Sequence, residues 1–144
     1  MAYYKEYHRY GDAVAAVEPG GIRASYRDLG EFSSRIREAV GGRTLVFAFC
    51  KNTIGSMFGY LSFLENGIVP LLLDAHIDKG LSGELIGTYR PAYLYVPEEQ
   101  AGEYEGETVL EGYGYSLLRT ATRRKLREKG VDREKYLPEA PKAK

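Results

Sequence analysis

The sequence has few of the residues that build covalent or metal-dependent sites. It contains one cysteine, Cys50, so an internal disulfide framework is excluded. Cys50 ends an apolar run, which indicates a buried thiol in a reducing compartment. The only histidines, His8 and His76, form no Cys/His cluster with metal-ligand spacing. A zinc site is therefore not expected.

Long apolar stretches are also missing. No run reaches the roughly 18 apolar residues that a membrane-spanning helix needs, and the first twelve residues lack the apolar segment of a signal peptide. We therefore expect no contact with a membrane and a cytoplasmic location. A chain of 144 residues with 44% hydrophobic and 28% charged residues is ordinary for one soluble domain.

The net charge is zero, but the charges are unevenly placed. Residues 119–144 hold ten Lys or Arg against four Asp or Glu, a net of +6, which residues 1–118 balance. Such a segment is either a basic arm for an acidic partner or nucleic acid, or a solvated helix and tail. No aromatic residues alternate with these cations in a stacking pattern, so we favour the solvated tail and do not expect nucleic-acid binding.

The hydrophobic pattern predicts the elements in order. Four tyrosines in residues 1–11 suggest a short helix or arm that packs on the domain, and residues 13–17 and 22–25 flank a Pro-Gly-Gly turn as a small hairpin. Three helices follow, which begin at Ser25, at Asn52 or Thr53, and at Asp78, because these residues are good N-caps. We expect Gly55 and Gly59 to bring the second helix close to the sheet.

Continuous apolar strands alternate with these helices. They cover residues 44–49, 69–73 and 92–96, and such a spacing requires crossover connections between parallel strands. The pattern of residues 108–120 predicts one or two short strands that add to an edge of the sheet in antiparallel orientation. The predicted fold class is α/β, with a mainly parallel sheet, helices on both faces, a small N-terminal β-hairpin and a short antiparallel edge. The α/β unit covers residues 1–120, and 121–144 form a basic helical segment and tail.

Known nucleotide motifs are absent. There is no G-x-x-x-x-G-K-[ST] loop, and Gly112 and Gly114 lack the third glycine and the helix of a dinucleotide site. We therefore interpret them as turn or bulge residues. A phosphoacceptor receiver domain needs an acidic cluster at the strand ends to hold magnesium, but the first long strand ends in Phe49-Cys50-Lys51-Asn52.

Four residues at the carboxyl ends of the predicted strands remain as candidates. Cys50 and His76 could meet as a nucleophilic dyad, although a buried inert thiol is the simpler interpretation. Asp74 ends a strand as the ribose-binding acid of a dinucleotide fold does. The backbone near Thr53 could hold a phosphate at a helix start, although simple helix capping is favoured.

Three short patterns carry a family resemblance. They are Ser25-Tyr26 followed by Leu29, then Gly67-Ile68-Val69-Pro70 before a strand that ends near an acid, then Pro91-Ala92-Tyr93-Leu94. In this order, over residues 12–120, the chain resembles the N-terminal subdomain of adenylate-forming enzymes, the AMP-dependent synthetase and ligase superfamily that includes acyl-CoA synthetases.

The resemblance implies a ligase that activates a carboxylic acid with ATP and passes the acyl group to a thiol. In that family a Ser/Thr/Gly-rich phosphate loop ending in Pro-Lys-Gly follows the segment that resembles residues 112–120, but here the basic segment follows. The chain is thus similar to a subdomain truncated before the phosphate loop. No catalytic, cofactor-binding or metal residue carries over, and ATP and magnesium are expected only for a complete enzyme.

Two functions follow from this resemblance. The chain is either a structural subdomain of an AMP-forming ligase, inactive without the ATP-binding portion, or a free-standing non-catalytic binding or assembly module. A nucleotide-binding domain that acts alone is a third option. We expect an exposed apolar face or a sheet edge that meets the missing subdomain or a second copy.

Overall fold

The computed structural model describes residues 11, 13–18 and 21–120. The tyrosines predicted to form an N-terminal arm and the basic segment 121–144 lie outside the described residues. None of the helices in the described part of the chain is both long and apolar enough to cross a bilayer.

The structure begins with the predicted hairpin and first helix. Strands β1 (Val14–Val17) and β2 (Arg23–Ser25) pair antiparallel as a separate small sheet. Helix α1 (Tyr26–Val40) starts with the predicted capping box. The Ser25 hydroxyl accepts the Asp28 N–H at 3.1 Å, and the Asp28 carboxylate accepts the Ser25 N–H at 2.9 Å. The helix ends at Gly41, whose φ of 83° lies in the left-handed region that favours glycine.

Three parallel strands and two helices follow. Their order is β3 (Leu45–Cys50), α2 (Ile54–Glu65), β4 (Val69–Asp74), α3 (Lys79–Tyr89) and β5 (Tyr93–Pro97). Strand β3 lies between β4 and β5 and is parallel to both. Thr53 caps α2 by accepting the Ser56 N–H, and Asp78 caps α3 by accepting the Leu81 N–H. These caps are among those that the sequence predicts.

The sheet is mixed, so the expectation of a mainly parallel sheet with a short antiparallel edge is confirmed only in part. After β5 come a 3₁₀ helix (Glu98–Glu103), β6 (Glu107–Gly112) and β7 (Tyr115–Arg119), and the strand order is β4-β3-β5-β7-β6. Strand β7 is antiparallel to both neighbours, so two of the four strand pairings are parallel and two antiparallel. The connection between β6 and β7 is two residues long, which makes that pair antiparallel, because a parallel pair needs a long crossover.

Helices cover both faces of this sheet, as the sequence predicts. Helices α1 and α2 pack over one face, and α3 with the 3₁₀ helix packs over the other. The face under α1 and α2 includes buried side chains from β3, β5 and β7, namely Val46, Ala48, Tyr93, Tyr95, Tyr115 and Leu117. The opposite face carries Leu45, Phe47, Phe49, Leu94, Val96 and Leu118.

Helix α2 lies unusually close to the sheet. A β-carbon at Gly59 would overlap the ring of Tyr95, and one at Gly55 would overlap the backbone oxygen of Tyr113. Glycine costs roughly 1 kcal/mol against alanine inside a helix, so the close approach has to compensate for this cost. The close packing predicted for these two glycines is present.

Candidate functional site

A crevice opens where the connections after β3 and β5 leave the sheet on opposite faces. The chain after β3 enters α2, and the chain after β5 enters the 3₁₀ helix on the other face. Open α/β sheets bind ligands outside the carboxyl ends of strands at such a point. The crevice here has a volume of about 320 Å³. It is lined by Glu18, Ile22, Arg23, Lys51, Thr53, Ile54, Glu99, Tyr113, Gly114 and Tyr115.

An ion pair crosses the crevice. The Lys51 ammonium lies 2.8 Å from the Glu99 carboxylate, so it joins the connection after β3 to the one after β5. The hydrogen bond from Lys51 lowers the pKa of the Glu99 carboxyl. The crevice lining has two acids, Glu18 and Glu99, and two bases, Arg23 and Lys51, so it carries little net charge to attract a ligand.

A carboxylate of the chain itself occupies the start of α2. Glu18, which follows β1, accepts the Ile54 N–H at 2.9 Å. The Thr53 hydroxyl accepts the Ser56 N–H at 3.3 Å, and the Ser56 hydroxyl accepts the Lys51 N–H at 3.2 Å. A negative group at a helix N-terminus is favourable, and Glu18 supplies it. Simple capping thus describes Thr53, and a nucleotide phosphate does not fit here unless Glu18 leaves.

The structure gives Cys50 and His76 different hydrogen-bonding partners. The Cys50 thiol donates to the Ala48 carbonyl of its own strand at 3.5 Å. The His76 imidazole is 83% exposed, and its Nδ1 lies 3.5 Å from a carboxylate oxygen of Asp74. A nucleophilic dyad needs the thiol and its base within hydrogen-bond reach. The contacts of Cys50 with Ala48 and of His76 with Asp74 therefore give no support to a dyad.

Asp74 closes a turn at the end of β4. Its carboxylate accepts the His76 N–H at 2.7 Å, and its carbonyl accepts the Ile77 N–H at 3.0 Å. This is the local side-chain bonding typical of aspartate in turns. Across the described ranges no group of three or more His, Cys, Asp or Glu is placed to hold a metal ion.

Two buried tyrosines of the sheet lie at the crevice: Tyr115 lines it, and Tyr95 stacks on Tyr115. The sequence pattern predicts both only as strand residues. The Tyr115 hydroxyl donates to the Phe49 carbonyl and the Tyr95 hydroxyl to the Gly55 carbonyl, each at 2.6 Å. Their rings stack with centroids 4.4 Å apart. Burial raises the pKa of both hydroxyls, so both remain donors at neutral pH. The alternating tyrosines of β5 and of the β6–β7 segment are the signal that could have pointed to them.

The turn between β6 and β7 contains an unusual tyrosine. Tyr113 and Gly114 have φ values of 54° and 77°, the pattern of a two-residue type I′ turn. Gly114 is therefore a turn residue, as predicted, whereas Gly112 ends β6. The Tyr113 ring meets Phe32 and Phe58 edge-on at 5.3 and 5.2 Å. These contacts offset the cost of a left-handed tyrosine.

An exposed apolar surface lies next to the crevice. We define the hairpin–α2 surface as Val17, Met57, Tyr60 and Leu72, all of them exposed and all lining a second cleft of about 290 Å³. It joins the hairpin, α2 and the edge strand β4. Exposed apolar residues that cluster in this way are typical of interaction sites.

Comparison with known proteins supports the fold alone. Neither a protein-family model nor a curated protein matches this chain. Among solved structures, the crystal structure of IdnL1 aligns with 81% of this chain at a TM-score of 0.56 and 17% sequence identity. The aligned part is 26% of IdnL1, so this chain spans about a quarter of that protein. At this identity the similarity concerns the α/β architecture with its mixed sheet.

Proposed function

We propose that the protein is a non-catalytic structural subdomain of an AMP-forming, acid-activating ligase. It acts only together with an ATP-binding portion that is not among residues 1–144. The observation that carries the proposal is that 81% of this chain has the fold of a part amounting to 26% of the much longer IdnL1. The assignment to a ligase comes from the resemblance of residues 12–120 to the N-terminal subdomain of adenylate-forming enzymes.

The chemistry of the crevice supports a structural role. Its lysine, Lys51, is paired with Glu99, and the start of α2 is occupied by Glu18. A nucleotide phosphate that bound Lys51 or the start of α2 would displace Glu99 or Glu18, with the cost of leaving that carboxylate unpaired. In this proposal the ATP-binding portion carries out the ATP chemistry. No residue of this chain has a catalytic role.

The hairpin–α2 surface is the part of the molecule best suited to meet that portion. Its apolar side chains come from three elements, so a partner seated there would contact the hairpin, α2 and β4 together. Burial of apolar area contributes roughly 25 cal/mol per Å², which makes such a surface a source of affinity.

The test is an ATP–pyrophosphate exchange assay with a panel of carboxylic acids. We expect no exchange from the pure recombinant chain. The tagged full chain, recovered from its native cells with bound partners, should show exchange above the background of an untagged preparation. Met57→Lys should reduce that activity at least about tenfold, because a charge enters the apolar contact. Leu81→Lys, on the exposed side of α3, is the control and should leave it unchanged.

Two results would contradict this function. Exchange by the pure chain would show that it is catalytic by itself. A recovered complex without exchange activity would instead favour the second candidate, a free-standing assembly module, which the same exposed surface supports. Sequencing the transcript beyond the codon for Lys144 further separates the two. Calorimetry with ATP–magnesium and with AMP at millimolar concentration tests solitary nucleotide binding, for which we expect no heat.

A further inference from the structure

Strand β4 forms one end of the described five-stranded sheet, and its hydrogen-bonding directions can be assigned. The Val69 N–H donates to the Thr44 carbonyl at 2.8 Å, and the Ala75 N–H donates to the Cys50 carbonyl at 3.0 Å. Both bonds point toward β3. Backbone groups alternate in direction along a strand, so those of Pro70, Leu72 and Asp74 point away from the sheet.

The outward edge offers a small, balanced set of backbone groups. Pro70 has no N–H, and the Asp74 carbonyl already accepts the Ile77 N–H at 3.0 Å. The groups that remain are two donors, the N–H of Leu72 and of Asp74, and two acceptors, the carbonyls of Pro70 and Leu72. An unpaired row of this kind is a template for another strand.

We propose that a second copy of this chain pairs with this edge, antiparallel, with Leu72 opposite the partner's Leu72. In that register the two leucines exchange both backbone bonds across a two-fold axis, and each Asp74 N–H meets the partner's Pro70 carbonyl. All four outward groups are then used. The donor that Pro70 lacks falls opposite the Asp74 carbonyl, which is already satisfied within its own chain.

Neighbouring registers match less well. Placing Leu72 opposite the partner's Pro70 leaves the Leu72 carbonyl without a donor. Placing Leu72 opposite the partner's Asp74 directs the Leu72 N–H at a carbonyl that already accepts Ile77. The register with Leu72 opposite Leu72 is thus favoured by its hydrogen bonds. All of these antiparallel registers share the two-fold symmetry that is commonest in homo-oligomers.

The side chains fit the same arrangement. Leu72 lies on the face that α1 and α2 cover, and it would meet the partner's Leu72 beside Met57 and Tyr60. Leu71, on the opposite face, would meet the partner's Leu73. Both Leu71 and Leu72 are exposed, and β4 holds no lysine or arginine, the charges that usually protect an edge strand. The proposal rests on the backbone groups of this edge and not on the ligase role. Because Leu72 also belongs to the hairpin–α2 surface, a second copy and the ATP-binding portion would compete for it.

The first experiment measures the mass of the full chain by sedimentation equilibrium across concentration. We expect a dimer, and we expect Leu72→Lys to raise its dissociation constant at least about tenfold. Leu81→Lys is the matched control, because both leucines are 47% exposed but Leu81 lies on α3. A monomer at the highest concentration, or a dimer that both variants leave intact, would overturn the proposal.

A cross-link tests the register. In the Cys50→Ser background, Leu72→Cys should form an intermolecular disulfide on mild oxidation, because Cα atoms of a hydrogen-bonded antiparallel pair lie about 5.5 Å apart, within disulfide range. Leu81→Cys should cross-link at least about tenfold more slowly. Equal rates would contradict the register. Protection of the Leu72 amide from hydrogen exchange in a monomer would show that another segment of the chain covers the edge, which also refutes the proposal.

Discussion

The two faces of the five-stranded sheet are covered very differently. On one face α1 buries Leu29, Phe32, Ile36 and Val40, and α2 buries Phe58 and Phe63. On the other face the only buried residue of α3 is Ser82, while Leu81 and Tyr89 are about half exposed. The first face is closed by interlocked aromatic side chains, and the second is covered more loosely.

Glycine illustrates how the same spacing serves different purposes on the two faces. Gly55 and Gly59 in α2 are four residues apart, and so are Gly83 and Gly87 in α3. In α2 both positions touch the sheet or its β6–β7 turn so closely that a β-carbon cannot fit, whereas in α3 a β-carbon at either position meets nothing within 4 Å. A glycine pair one turn apart therefore indicates close packing only in the right surroundings.

The largest expected difference in stability comes from truncating one large side chain to alanine on the helices of each face. Phe58→Ala should cost about 3–5 kcal/mol of unfolding free energy, because a fully buried ring is lost from the α1–α2 face. Leu81→Ala, on α3, should stay within about 0.5 kcal/mol of the wild type. Urea denaturation followed by circular dichroism measures both. Similar losses for the two variants would contradict the unequal packing of the faces.

Adding a methyl group to a glycine of each helix should give effects of opposite sign. Gly59→Ala should destabilise by about 1–3 kcal/mol, since the new β-carbon meets the Tyr95 ring. Gly83→Ala should stabilise by up to about 1 kcal/mol through helix propensity. Thermal unfolding of the two variants under one condition makes the comparison. A stabilised Gly59→Ala variant would mean that α2 can move away from the sheet at little cost.

The smallest effect concerns the hydroxyl of Tyr95. Tyr95→Phe should cost about 1 kcal/mol at neutral pH, because the bond to the Gly55 carbonyl is lost. Burial raises the pKa of Tyr95, so the folded state keeps a proton that the unfolded state loses above about pH 10. Stability is therefore full below that pH and falls as the pH rises through the folded-state pKa.

The unfolding free energy should fall less steeply with rising pH in Tyr95→Phe than in the wild type. Urea midpoints measured between about pH 8 and about pH 11 give the two slopes. Tyr89→Phe, a half-exposed tyrosine on α3, is the control and should keep the wild-type slope. Identical slopes in all three proteins would show that Tyr95 does not contribute to the alkaline transition.

The features that the sequence predicts are mostly local. The capping pair Ser25 and Asp28, and the caps Thr53 and Asp78, act within three residues of themselves, so a short pattern is enough to identify them. The parallel β3-β4-β5 unit follows from continuous apolar runs separated by helices. The position of β7 between β5 and β6 does not follow in this way, because either strand of the β6–β7 hairpin could pair with the free edge of β5.

The crevice was less predictable because its contacts are distant in sequence. Glu18 reaches the start of α2 across 36 residues, and Lys51 meets Glu99 across 48. Each acid looks like an ordinary surface residue in its own segment. The turn position of Tyr113 was equally hard to predict, since asparagine, aspartate or glycine is the usual residue there. Only the packed aromatic rings around it explain its left-handed backbone.

The place of β7 has a consequence for the growing polypeptide. Strand β5 is buried along its whole length, yet one of its two edges pairs with β7, which is synthesised later. At about 5–20 residues per second, translation leaves that edge without its neighbour for on the order of a second or more. We therefore expect the nascent chain, before Arg119 emerges, to be the species most prone to aggregation and most dependent on chaperones.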